Sequence, residues 1–232
     1  MTIRLSPSKL LHNITLCVSI ERVRIFISDH EYIWRYMTKA YVIRHAEVVV
    51  EPDLPSYQWD LSPEAETSIR WISRGIEGTT ASRIYHSPEK KAYKTAKFIS
   101  DIFGIPTETS LDLREVERTF HFLPDDTFNL LITEYLEGKG SGAFEDYKIA
   151  QNRVTKCFSN IVSKNHGRDV ILVSHGLILT ILYSYLLRRQ LNWIGWKNIR
   201  MPDLSIIDLD KNTIERGFFS ARGKEISIQL HP

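Results

Sequence analysis

Cysteine is scarce in this chain: Cys17 and Cys157 are the only two. Two residues so far apart give no disulfide framework and no zinc knuckle. A reducing compartment, the cytoplasm, is the simplest setting for such a composition. Long hydrophobic runs are missing as well. The longest apolar stretches, residues 170–173 and 177–187, are too short or too interrupted to span a bilayer, so no membrane partner is expected. Nor does charge of one sign prevail. The formal net charge is +2, and residues 1–36 carry all of it, with Arg4, Lys9, Arg22, Arg24 and Arg35 against Glu21, Asp29 and Glu31. The remainder holds 25 basic and 25 acidic residues, which leaves no electrostatic footprint for nucleic acid.

Several catalytic signatures are absent too. No G-x-x-x-x-G-K-[ST] cradles a nucleoside triphosphate, and no H-E-x-x-H offers a zinc site. Without a G-x-S-x-G elbow, Ser174 is not read as a hydrolase nucleophile. Neither cysteine is followed by five residues and an arginine, which argues against a cysteine phosphatase. Carboxylates form no cluster that marks a magnesium site, so neither a metal nor another cofactor is expected.

What is present suits a folded domain. The 232 residues are 43% apolar and 25% charged, enough for one α/β core with a modest extension. Residues 1–36 read as that extension. They lack a hydrophobic segment with a small-residue cleavage site, so no secretory signal is read. Met37 opens Met-Thr-Lys-Ala-Tyr-Val-Ile-Arg-His, the natural beginning of a first strand. The expectation is an extension over 1–36, loose or not translated, and a catalytic domain over 37–232.

From Lys39 on, short β-branched runs alternate with amphipathic helices. Strands are expected at 40–43, 82–86, 170–173, 205–208 and 225–229, with an extended segment at 106–113. A helix at 62–76 is expected to start on Ser62-Pro63, an N-cap followed by proline at the first helical position. Others follow at Ser87-Pro88, at 144–164 and at 177–187. Residues 120–142, with a short helix at 128–136 and glycines at 138, 140 and 142, interrupt the alternation and read as a capping insertion. The pattern predicts a doubly wound, mostly parallel α/β sheet flanked by helices on both faces.

Two histidines occupy equivalent places. Arg44-His45 follows the strand at 40–43, and Ser174-His175-Gly176 follows the strand at 170–173. The carboxyl ends of such strands border the ligand crevice, so both imidazoles are expected in one pocket. The helix after Gly176 presents free N–H groups, a natural anion site. Two imidazoles, an arginine fork and an anion site suit phosphoryl transfer, in which positive donors surround the equatorial oxygens and a nucleophile attacks in line. Neutral imidazole is a competent nucleophile near pH 7.

These residues and their order resemble the histidine phosphatase superfamily, also called phosphoglycerate mutase-like. Arg44-His45-Ala46-Glu47 is similar to its signature after the first strand. Ser87-Pro88-Glu89-Lys90-Lys91-Ala92-Tyr93-Lys94-Thr95-Ala96 resembles its second block. Leu113-Arg114-Glu115, Val173-Ser174-His175-Gly176 and Met201-Pro202-Asp203-Leu204-Ser205 follow in the right order. The resemblance implies that His45 takes the phosphoryl group, that Arg44, Lys91 and His175 hold its oxygens, and that Glu115 protonates the leaving oxygen. Glu117 is a nearby rival for that last role.

Two departures stand out. Lys91 replaces the family's second arginine and loses the bidentate fork, so arginine at this position is expected to serve as well or better. Glu47-Val48-Val49-Val50 lacks the threonine and asparagine of the mutase branch, which counts against a glycolytic mutase. The expected activity is hydrolysis of a small phosphate ester or a phosphoprotein. The alternative is a weak or inactive phosphate-binding module, and a phosphomutase comes third. Specificity is expected in 120–142, whose Phe120, Phe122 and Phe128 either wall a pocket or simply pack. His86 and His121 are read as structural or exposed, and oligomeric state is not legible.

Overall fold

In a computed structural model, which describes residues 23–28, 31–36, 38–140, 142–218 and 226–228, strands and helices alternate through most of the chain. Strands β1 (Val23–Ser28) and β2 (Glu31–Tyr36) pair antiparallel as a separate two-stranded sheet; the rest of the expected extension lies outside the described residues. The main elements are β3 (Lys39–Arg44), α1 (Ala65–Ser73), β4 (Ile84–His86), α2 (Lys90–Phe103) and β5 (Thr107–Thr109). They continue with α3 (Asp125–Leu136), α4 (Tyr147–Lys164), β6 (Val170–Ser174), α5 (Gly176–Leu186) and α6 (Trp193–Lys197). Strands β7 (Asp203–Asp208), β8 (Thr213–Arg216) and β9 (Ile226–Ser227) close the sequence of elements.

The sheet order is β5-β4-β6-β3-β7-β8-β9. Neighbours from β5 to β3 are parallel, while β7, β8 and β9 join as an antiparallel edge. Strand β3 shows why the centre is buried on both faces. Ala40 and Val42 pack into one apolar cluster, Tyr41 and Ile43 into the other, and all four are fully buried. Burying a side chain such as Ile43 is worth roughly 1.5–3 kcal/mol. Helices α1 and α2 cover the second cluster through Ile69, Ile72, Ala96 and Ile99. Helices α4 and α5 cover the first through Val154, Phe158, Ile178 and Leu182.

The helix after β3 and the helix after β6 therefore lie on opposite faces although the two strands are neighbours. That reversal is a topological switch point, and it opens a crevice at the carboxyl ends of both strands.

Local differences from the expected elements have local causes. Helix α1 begins at Ala65 with Glu64 before it, and the Ser62 side chain forms no cap. Helix α4 begins at Tyr147, where Asp146 accepts from the N–H groups of Lys148 and Ile149 at 2.9 and 3.0 Å and so decides the start. The 106–113 segment is extended only over Thr107–Thr109 and then turns through a 3-10 turn, Leu111–Leu113. The last strand is Ile226–Ser227; Ile228 lies beyond it, buried and donating its N–H to the Asn212 carbonyl at 2.8 Å, while expected positions 225 and 229 lie outside the described residues. Lys211-Asn212 does form the turn between β7 and β8, with Asn212 at φ 55°, a left-handed conformation that asparagine tolerates.

Candidate active site

Parallel pairing sets Arg44 of β3 beside Ser174 of β6, so His45 and His175 leave adjacent strands at the same level. The His45 N–H continues the ladder to the Ser174 carbonyl at 2.9 Å. The two imidazole centroids are 5.1 Å apart, with the rings inclined at 61°. His45 is 4% exposed, and His175 is wholly buried.

The His45 ring has a defined tautomer. A backbone carbonyl can only accept, so Nδ1–H donates to the Ala46 carbonyl at 2.7 Å and Nε2 keeps its lone pair. Burial first, then mutual repulsion with a protonated His175 and the positive charges of Lys91 and Arg44, hold its pKa well below the ordinary histidine value. The ring is thus neutral and nucleophilic near pH 7. The His175 pKa is also held well below the ordinary range, by burial and then by Lys91 and Arg44. Its Nε2 meets Ser87 Oγ at 2.7 Å, and Ser87 Oγ also accepts the Glu89 N–H at 3.2 Å. The hydroxyl has a second lone pair as well as its own proton, so this contact is satisfied with either His175 Nε2 or Ser87 Oγ as the donor. Nδ1 of His175 and Nε of Arg44 are buried with no hydrogen-bond partner among the described residues.

Arg44 is fixed from two sides. Its Nη1 donates to the Ile199 carbonyl, and the guanidinium lies against Gly176. A Cβ at Gly176 would stand 2.9 Å from Arg44 Cζ, so only glycine leaves room for the fork. Burial pulls the Arg44 pKa down to about 10, against the pull of Glu115 and Asp203. Arg44 therefore stays charged at neutral pH.

Lys91, at the start of α2, is 4% exposed. Its ammonium donates to Glu89 Oε2 at 2.6 Å and to the Ser56 carbonyl at 2.7 Å. Two of its three protons are engaged, and one is left. The other Glu89 oxygen accepts the Glu115 N–H at 2.7 Å and lies 3.4 Å from His175 Nε2.

Glu115 is held by its neighbours' backbone and by its own loop. Ser174 Oγ donates to the Leu113 carbonyl at 2.7 Å, tying that loop to the end of β6. Arg153 donates to the carbonyls of Asp112 and Arg114 at 2.8 and 3.1 Å and is paired to Glu145 at 2.6 Å. The Glu115 carboxylate accepts the N–H groups of Leu177 and Ile178 at 3.1 and 2.8 Å, and that of Val116 at 3.0 Å. The anion on the first turn of α5 is thus the chain's own, a difference from the open anion site read at that helix. Burial, then the negative charge of Glu89, raises the Glu115 pKa against those backbone bonds. Glu117 instead points its carboxylate to Arg114 at 2.9 Å and is exposed.

A cavity of about 580 Å³ opens over these groups, lined at the strand ends by Arg44, His45, Lys91 and Glu115. His175 does not border it; it touches the His45 ring from the buried side, whereas both imidazoles were expected in the pocket. Phe122 and Phe128 wall the cavity, while Phe120 packs edge-on against Phe128 and Phe144. His86 is buried, with Nδ1–H on the Ser87 carbonyl at 2.8 Å, and His121 lies exposed on the rim. Lys90 and Lys94 bridge to Asp60, Lys90 exposed and Lys94 half-buried.

The sequence reading did not single out Glu89, Arg153 or the Ser56 carbonyl. Residues two apart on a helix do not face each other, but Glu89 is extended and precedes the helix, which lets it turn onto Lys91. Arg153 and Ser56 act across 38 and 35 residues of sequence, with no local signal to betray them.

Comparison with known proteins bears on the family and the fold. The chain belongs to the histidine phosphatase superfamily (branch 1), whose sequence model matches residues 40–216. Among solved structures it is similar to YhfR of Bacillus stearothermophilus, at 20% identity over 77% of this chain and 95% of that one, with a TM-score of 0.62. A mycobacterial glucosyl-3-phosphoglycerate phosphatase is 16% identical over 73% of this chain and 89% of its own, TM-score 0.60. A phosphoserine phosphatase of Entamoeba histolytica, solved with 3-phosphoglyceric acid, is 17% identical over 73% and 90%, TM-score 0.58. No curated protein matches the chain significantly in sequence. At such identities the likeness is one of fold. No helix among the described residues is long and apolar enough to cross a membrane.

Proposed function

We propose that the protein is a metal-independent phosphatase that hydrolyses a phosphate monoester through a phosphohistidine on His45. The observation that carries this reading is a neutral imidazole, its Nδ1–H fixed on the Ala46 carbonyl, lining a cavity with Arg44, Lys91 and Glu115. In the first step Nε2 of His45 forms a bond to phosphorus while the ester P–O bond breaks. The departing oxygen takes the proton of Glu115, whose raised pKa keeps the acid form available. In the second step a water oxygen bonds to phosphorus, Glu115 takes its proton, and the N–P bond breaks to release inorganic phosphate. Arg44 and the free N–H of Lys91 stabilise the equatorial oxygens, with His175 packed behind the His45 ring, so cationic side chains fill the role a metal would otherwise take. The named phosphatases among the similar structures support the reaction class.

The test is rapid-quench labelling with a phosphorylated substrate. The wild type is expected to yield an acid-labile, base-stable phosphoenzyme and steady turnover without added metal, and His45→Ala neither. A phosphoenzyme that persists in His45→Ala overturns the reading. A second reading, a phosphate-binding module with little turnover, draws on the Glu89 carboxylate that already neutralises Lys91. Binding of inorganic phosphate by wild type with no hydrolysis of p-nitrophenyl phosphate would favour it.

A further inference from the structure

The cavity over His45 changes character within a few ångströms of its charged end. Its walls are Val48, Val116, Phe128, Ile132, Trp196 and Ile199, all carbon surface or nearly so. Phe128 and Trp196 meet edge to face at 5.9 Å, which fixes both rings. Trp59 adds a further ring whose single donor is already engaged, since its indole N–H bonds the carbonyls of Glu51 and Leu54 at 2.9 and 3.1 Å. Arg118 lines the same cavity with its guanidinium 5.2–5.7 Å from the rings of Trp59, Phe120 and Phe128, and Nη2 donates to the His121 carbonyl at 3.2 Å. At the mouth, Val50, Phe122 and Met201 are 49%, 43% and 37% exposed. Apolar groups exposed around a concave opening mark a binding surface.

A small polar phosphate ester needs convergent hydrogen-bonding groups beside the reacting phosphorus, because each buried hydroxyl or ammonium without a partner is costly. Beyond the charged end and Arg118 the polar lining is Ser56, His121, Asp125, Asn129, Lys197 and Arg200, and four of these six, His121, Asp125, Lys197 and Arg200, are exposed and so keep their contact with water. At about 580 Å³ the space also matches pockets that enclose drug-sized ligands, lined by aromatic and aliphatic side chains with a few polar groups at one end.

We infer that the substrate is a phosphate monoester of a bulky apolar alcohol or phenol, its phosphate at His45 and its hydrocarbon body against Phe128, Trp196 and Ile199. This rests on the reading of His45 as the nucleophile. The hydrocarbon leaves as the alcohol after proton transfer from Glu115, and no further reactant than water is required. The small-molecule ester is favoured over a phosphotyrosyl chain because the cavity, at about 580 Å³, accepts a body of limited volume. At the mouth the exposed polar residues His121, Asp125, Lys197 and Arg200 stand beside the apolar rim.

The experiment is a kcat/KM series on the full chain with ethyl, butyl, hexyl and octyl phosphate and 2-naphthyl phosphate. Phosphoserine, 3-phosphoglycerate and a phosphotyrosyl peptide complete the set. The expected result is a rise of up to about fourfold per methylene, the limit for complete burial, until the walls are filled. Octyl and naphthyl esters should exceed phosphoserine by about 100-fold or more. Phe122→Ser and Val50→Ser, both at exposed positions that folding tolerates, should flatten the rise with chain length, and Trp196→Ala should flatten it further. A flat alkyl series, or a preference for phosphoserine or 3-phosphoglycerate, overturns this inference and leaves the His45 mechanism standing. A phosphotyrosyl peptide turned over faster than every small ester overturns the choice of a small molecule. Absence of turnover on every ester, with no phosphoenzyme, overturns the phosphatase reading and this inference with it.

Discussion

Arginine at position 91 would restore the residue type that the second sequence block normally holds, and by sequence alone it should do no harm. The structure argues the opposite. Lys91 is 4% exposed and its ammonium sits between Glu89 Oε2 and the Ser56 carbonyl, at 2.6 and 2.7 Å. A guanidinium is longer and planar, and two acceptors placed for a compact ammonium do not match its fork. Forcing the larger head into this closed site costs about 1–3 kcal/mol in strain. If the strain falls on the contact to the transferring phosphoryl group, that range corresponds to about a 5- to 150-fold loss in kcat/KM. If it falls on the fold instead, each 1 kcal/mol lowers the melting temperature by about 2–4 °C for a domain of this size. The assay pairs steady-state kinetics on p-nitrophenyl phosphate with thermal unfolding of wild type and Lys91→Arg. Equal or higher kcat/KM with an unchanged melting temperature would refute the reasoning, and would mean that the Glu89–Lys91–Ser56 arrangement places no demand on the side chain.

Three further outcomes follow from the same geometry. Gly176→Ala should cut kcat/KM by at least about 10-fold with little loss of helix, because the new Cβ would meet Arg44 Cζ at 2.9 Å; wild-type kinetics with full stability would show that the fork moves freely. Glu89→Gln removes the charge that helps raise the Glu115 pKa, so the high-pH limb of the kcat profile should move to lower pH, and an unmoved limb would dissociate the two carboxyls. For stability, both histidines are held neutral in the native state while the unfolded chain takes up protons near pH 6.5. Their contribution is therefore intact above pH 6.5 and lost as the pH falls from there toward their depressed native values, by about 1.4 kcal/mol per histidine per pH unit. Glu115 acts in the other sense, since its raised pKa makes acid favour the native state below that value. Comparing wild type with His175→Asn isolates one histidine: between pH 6.5 and 5.5, where one depressed histidine costs about 1 kcal/mol, the variant's melting temperature should fall by about 2–4 °C less. Parallel curves would contradict it.

Much of the architecture is legible along the chain because its causes are local. The β-branched run ending at Ile43, the all-apolar strand from Val170 to Val173, and the helical spacing of Ile69, Ile72 and Ile76 each encode an element in their own period. From strand and helix alternation comes the sheet, and from strand exits come Arg44, His45 and His175 as neighbours. The helix boundaries were less legible: Ser62 had the right chemistry for a cap, yet the backbone turns into helix only at Ala65.

What the sequence determined, then, is which residues stand at the ends of which strands, because periodicity and strand-exit position are properties of contiguous residues. Tertiary packing alone decided the tautomer of His45, the clamp that Glu89 and Ser56 place on Lys91, the Arg153 staple on the Glu115 loop and the apolar walls drawn from Val48 to Met201. Each depends on groups brought together across tens of residues. Charge, burial and hydrogen-bond geometry at such a meeting point arise only when the chain has closed on itself, since no single segment contains both partners.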